Sequence, residues 1–139
     1  MNLKTTNSEI LNFVEVANKW LNFVAKDKPT KLSYAVARMV KRCDILIRKF
    51  NEEMEDCRAD NALTDEKTKA LLVDGLGNYQ FTREGTQTVV RKRRELLDTE
   101  VEIEPYISTE TPPDLRNDIC VAFEGFVLKP QDEQNQPES

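Results

Sequence analysis

The chain has 139 residues, the size of one domain with a single modest core, and 32% of them are charged against 39% hydrophobic. Its net charge of −5 disfavours general nucleic-acid binding, which needs a basic surface, and no apolar run is long enough for a membrane span. Histidine is absent, which excludes Ser-His-Asp and Cys-His nucleophilic sites, Cys/His zinc sites and His-ligated haem. No cofactor, metal or enzymatic activity is therefore expected.

The N-terminal residues "MNLKTTNSEI" lack a basic region followed by an apolar one, so no signal peptide is visible. Residues 8 to 26 then read as an amphipathic helix. Ile10, Phe13, Val14, Ala17, Trp20, Leu21 and Val24 share one wide arc, and Asn7 or Ser8 can cap its start. Pro29 ends it.

A long helix follows, from Thr30 or Ser33 to about Ala59. Val36, Val40, Cys43, Ile47, Phe50, Met54 and Cys57 recur at alternating spacings of four and three, a seam for coiled-coil-like packing. Its mixed residue types suit an intramolecular hairpin better than a free-standing zipper. Cys43 and Cys57 stand roughly 21 Å apart along the axis and can neither bridge nor share a metal. With Cys120, they read as buried thiols of a reducing compartment.

Residues 59 to 69 are polar and break the pattern. Residues 70 to 81, "ALLVDGLGNYQF", read as a small β-hairpin turning at Asp74, Gly75 and Gly77. Thr82 can cap a third helix, "REGTQTVVRKRRELLD", with a poor apolar stripe of Val89, Val90, Leu96 and Leu97 and with Gly85 near its start. "TEVEIEPYIS" alternates Val101 and Ile103 on one face, and Pro105 confines that strand to a sheet edge. Pro112 and Pro113 open a short C-terminal helix burying Leu115, Ile119, Val121 or Ala122, Phe123 and Phe126. The expected fold is therefore α+β and mainly α: a long antiparallel helical hairpin, an extra N-terminal helix, a small β-hairpin and edge strand, and a short C-terminal helix. Residues 1 to 128 form a single domain in this reading, with 129 to 139 a disordered acidic tail.

Two charged clusters remain. Glu52, Glu53, Glu55 and Asp56 follow the basic run Lys31, Arg38, Lys41, Arg42, Arg48 and Lys49, an order opposite to the one the helix dipole prefers. Glu52 and Asp56 lie one turn apart, but two carboxylates on an outward helix face are a solvated surface before they are a metal site. The reversed gradient points to pairing outside the helix. Arg42, Arg48, Lys49, Glu52, Glu53 and Asp56 are thus the candidate partner-binding residues, for a protein partner or for a second copy packed antiparallel. The run "RKRRE" at 91 to 95 points all round a helix. In an antiparallel hairpin residues 90 to 94 come level with about 48 to 52, so Arg91, Arg93 or Arg94 would meet Glu52, Glu53 or Asp56. The alternative is a phosphate contact through Arg91, Lys92, Arg93 and Arg94. Tyr34, Tyr79 and Tyr106 are isolated in sequence and offer no base-stacking platform.

"KLSYAVARMVKRCDILIRKFNEEMEDCRAD", the Asp-Gly turn with "NYQFT", and "ELLDTEVEIEPYI" together resemble a family of short proteins encoded by tailed bacteriophages and prophages, over roughly residues 31 to 108. The helix before residue 27 departs from that pattern. The resemblance implies a phage origin and a helical-hairpin body with a small β element; it carries over no catalytic residue. The expected function is that of a non-enzymatic interaction protein, an assembly factor, virion accessory or inhibitor of a host protein, in the bacterial cytoplasm or the virion.

Overall fold

The computed structural model describes residues 2–23, 30–109 and 115–129. Four helices and a two-stranded antiparallel sheet make up the described chain, so the fold is α+β and mainly α, as the sequence pattern predicts. The break at Pro29, the opening at Pro112 and Pro113, and the acidic tail from residue 130 lie outside the described residues. No described helix is long and apolar enough to cross a membrane.

The first element departs from expectation. Leu3–Thr6 forms strand β1, which pairs antiparallel with β2, Glu100–Ile103, in the register Leu3 to Ile103 and Thr6 to Glu100. Helix α1, Asn7–Phe23, starts directly from that strand. Its cap is Thr6, whose Oγ1 accepts from the Glu9 amide at 3.2 Å, rather than Asn7 or Ser8. Helix α2, Lys31–Asn61, opens with a reciprocal cap: the Ser33 amide donates to Thr30 Oγ1 (3.1 Å) and the Thr30 amide to Ser33 Oγ (2.7 Å). These bonds satisfy amides that a helix start would otherwise leave unpaired.

The chain divides into two compact units, residues 1–47 with 100–139, and residues 48–99. In the first, α1 meets α4, Asn117–Phe123, through large rings. Phe13 stacks on Phe126 with centroids 4.6 Å apart, and Phe123 packs edge-on against Phe13 and Trp20. Leu32, Ala35, Val36, Met39 and Cys43 of α2 bury into the same core, with Ile103 of β2. Helix α4 is shorter than the sequence pattern implies. Gly125, at φ +83°, turns the chain back so that Phe126, Val127 and Leu128 also bury, and of the Val121/Ala122 pair it is Ala122 that points inward.

In the second unit the C-terminal half of α2 and α3, Arg83–Asp98, form the antiparallel hairpin. Phe50, Met54 and Leu96 are buried and Cys57 is half-buried. All seven seam residues of α2 are therefore buried or half-buried, as a seam facing its own core requires. Thr82 caps α3 by accepting from the Gly85 amide at 3.0 Å. Gly85 is there for space: a Cβ at that position would lie 2.9 Å from the Asn61 carbonyl oxygen.

The connection between these helices is more ordered than its polar sequence suggests. The hairpin at 73 to 79 forms, with Asp74 accepting from the Gly77 amide and Gly77 at φ +83°. Residues 62 to 65, read as a break, join it. Leu63 N–H donates to Gln80 C=O, Gln80 N–H to Leu72 C=O, and Leu72 N–H to Leu63 C=O, all between 2.8 and 3.0 Å. Three chain segments thus close a ring of backbone hydrogen bonds, which satisfies their polar groups without a large core.

Candidate functional site

Helix α2 buries one face and leaves Tyr34, Arg38 and Lys41 exposed on another, at spacings of four and three. Arg38 Nε donates to the Tyr34 hydroxyl at 2.9 Å, and its guanidinium lies 5.4 Å from the centre of that ring. The hydrogen bond to Tyr34 is the first cause of a raised Arg38 pKa, and that bond fixes where the guanidinium stands. Cation–ring pairs at exposed sites stabilise by about 0.5–1 kcal/mol.

The second wall comes from the chain after β2. Pro105 has no amide to extend the ladder with β1, and the segment swings beside the C-terminal turn, where the Tyr106 amide donates to Phe126 C=O (2.9 Å) and the Ser108 amide to Val127 C=O (2.8 Å). Arg42 Nη1 clamps this segment by donating to the carbonyls of Glu104 and Pro105, at 3.2 and 3.0 Å. Its guanidinium also lies 5.1 Å from the centre of the Tyr106 ring. Tyr34 and Tyr106 meet edge-on, centroids 6.0 Å apart.

The result is an open groove of about 720 Å³ between the start of α2 and residues 104–109, lined by Lys31, Tyr34, Arg42, Tyr106 and their neighbours. A second lobe shares Tyr34, Arg42 and Tyr106 and adds Arg38 and Lys41. Among the described residues, Glu104 is the only acidic one lining either lobe. Four cationic side chains around two tyrosines make an anion-seeking surface. The expectation that the three tyrosines are isolated is corrected for Tyr34 and Tyr106, which chain separation hid. Tyr79 stands apart: its hydroxyl donates to Glu55 at 2.5 Å, which raises its pKa, and its ring meets Phe81 edge-on.

Of the residues expected to bind a partner, Arg42 proves to be a half-buried strut of this groove. Arg48, Lys49, Glu52 and Asp56 are exposed on the second unit, and Glu53 is half-buried there. Glu53 and Asp56 line a smaller concavity of about 350 Å³ with Cys57, Asp60, Asn61 and Lys92. Lys92, then, is the basic residue that faces the acidic end of α2. Arg91, Arg93 and Arg94 are exposed and make no ion pair with it among the described residues. The register explains the change. Gly85 lets α3 start hard against Asn61, which sets Lys92 beside 53–60 rather than beside 48–52, and its neighbours turn away around the helix. Among the described residues no three His, Cys, Asp or Glu side chains converge on a metal position. Cys43 is buried in the core, and burial pushes its thiol pKa up to about 12, where it is not nucleophilic.

The fold and groove together define a mainly helical α+β protein with a basic, tyrosine-walled cleft. No protein-family model, curated protein or solved structure matches the chain.

Proposed function

We propose that the protein is a non-enzymatic interaction protein that receives an acidic segment of a protein partner in the groove of Tyr34, Arg38, Lys41, Arg42 and Tyr106. The supporting observation is the grouping of Lys31, Arg38 and Lys41 around two fixed tyrosines, with Glu104 as the single acid among the described lining residues. In the tailed-phage setting that the sequence resemblance implies, such a module serves as an assembly factor, a virion accessory or an inhibitor occupying a host protein. The test is calorimetric titration with a glutamate-rich peptide at low and high salt. Binding that weakens with salt and is lost in the Arg38→Glu, Lys41→Glu double variant supports the reading. Affinity unchanged by that charge reversal contradicts it.

A second reading concerns self-association. Lys49, Glu52 and Asp56 are exposed and make no ion pair among the described residues. Two copies packed antiparallel would set basic against acidic helix halves, forming a homodimer that dissociates at high salt. Reversing Glu52, Glu53 and Asp56 together would then yield monomers in sedimentation. The exposed Arg91, Arg93 and Arg94 support the nucleic-acid alternative, and salt-sensitive DNA binding that their neutralisation abolishes is its signature.

A further inference from the structure

We infer that the groove binds its acidic partner as an added strand: an extended acidic peptide pairs its main chain with the groove wall at Ile107 while its carboxylates meet Arg38 and Lys41. This rests on the reading of the groove as an acidic-partner site and adds the mode of recognition.

The argument starts from the backbone of the groove wall. Tyr106 and Ser108 direct their amides to the carbonyls of Phe126 and Val127. In extended chain the polar groups alternate sides, so Ile107, between Tyr106 and Ser108, presents its own to the opposite side. From α2, Arg42 Nη1 holds the start of this wall by donating to the carbonyls of both Glu104 and Pro105, at 3.2 and 3.0 Å. The N–H and C=O of Ile107 make no hydrogen bond among the described residues. A half-buried segment just beyond β2, with an unused donor and acceptor and lining an open groove beside a helix, is the kind of edge that strand addition uses.

The walls then select the peptide. Residues 104–109 span about 20 Å when extended, room for about six peptide residues. Lys31, Arg38 and Lys41 supply the charge. The core below holds the wall in place, since Phe126 and Val127, which anchor it, are buried. A nucleic-acid strand fits less well. A guanidinium lies against each tyrosine ring, Arg38 on Tyr34 and Arg42 on Tyr106, which leaves less free ring face for a stacked base. Ile107 also offers an amide donor and acceptor pair, which matches peptide rather than sugar-phosphate.

The test uses the full chain and an alternating Glu-Val octapeptide, with two isomers N-methylated on one or the other alternate set of amides. One isomer should lose at least tenfold in affinity while the other binds as the parent does. The Ile107 amide should exchange at least tenfold more slowly in the complex. Equal binding of parent and both isomers, with an unprotected Ile107 amide, overturns strand addition. If the Arg38→Glu, Lys41→Glu variant still abolishes binding in that case, the acidic-partner groove stands. An oligodeoxythymidylate bound through these residues in place of the peptide overturns both, as does failure of the peptide to bind at all.

Discussion

The two compact units of this chain are fixed by different means. In the first, four aromatic side chains, Phe13, Trp20, Phe123 and Phe126, are buried together, and burying each fully stabilises by about 1.5–3 kcal/mol. In the second, the large buried side chains are Phe50, Met54 and Leu96, while Leu63, Leu71, Val73 and Leu76 of the helix connection remain exposed. Order there comes from caps, Asp-centred turns and the closed backbone ring of Leu63, Leu72 and Gln80. The difference bears on function. A groove whose wall hangs from a dense core is preorganised and loses little entropy when a ligand binds. A unit held by backbone bonds near solvent opens locally at lower cost.

The largest expected effect comes from breaking the aromatic core. Phe123 is fully buried against Phe13 and Trp20, so Phe123→Ala should cost about 3–5 kcal/mol, read as a lower denaturation midpoint. A loss below about 1 kcal/mol would mean that the first unit does not depend on this cluster. Next is Gly85→Ala in the second unit. Ala favours the helix by about 1 kcal/mol, but its Cβ would meet the Asn61 carbonyl at 2.9 Å, and such overpacking costs about 1–3 kcal/mol. A net destabilisation of about 1 kcal/mol is expected, with faster amide exchange confined to residues 48–99; a stabilised protein would refute the close approach. The smallest effect is electrostatic. Asp65 accepts from the amides of Thr68 and Lys67, at 2.9 and 2.8 Å, and these bonds hold its carboxyl below its ordinary value. A carboxyl depressed in the folded state stabilises above the unfolded pKa of about 3.9 and loses that contribution as pH falls through its folded value. An NMR titration of Asp65 should therefore show a midpoint below about 3.9; one at or above it would contradict the turn.

What was legible in the sequence follows the reach of the signals. The α2 seam is local and periodic, and all seven of its residues are buried or half-buried. The Asp74-Gly75 turn carries its own chemistry and forms where expected. Strand β1 was hidden because "LKTT" has too few residues to show a period, and its partner lies near residue 100. Residues 62–65 looked like a break because their pairing depends on Leu72 and Gln80, not on side-chain pattern. The groove was half legible. Tyr34, Arg38 and Lys41 recur on one outward face of α2, a spacing visible without coordinates. Tyr106 arrives through the turn at Pro105 and its bond to Phe126, which no local rule foretells. The register of α3 against α2 is set by a missing side chain at Gly85, so charge pairing alone assigned the wrong basic residue.

The most direct test is an NMR titration of the intact protein with a glutamate-rich peptide, following every backbone amide. The account predicts saturable shifts at Tyr34, Arg38, Lys41, Tyr106 and Ile107, with residues 48–99 unmoved. Shifts centred on residues 91–94, or none in the groove at saturating peptide, would contradict it.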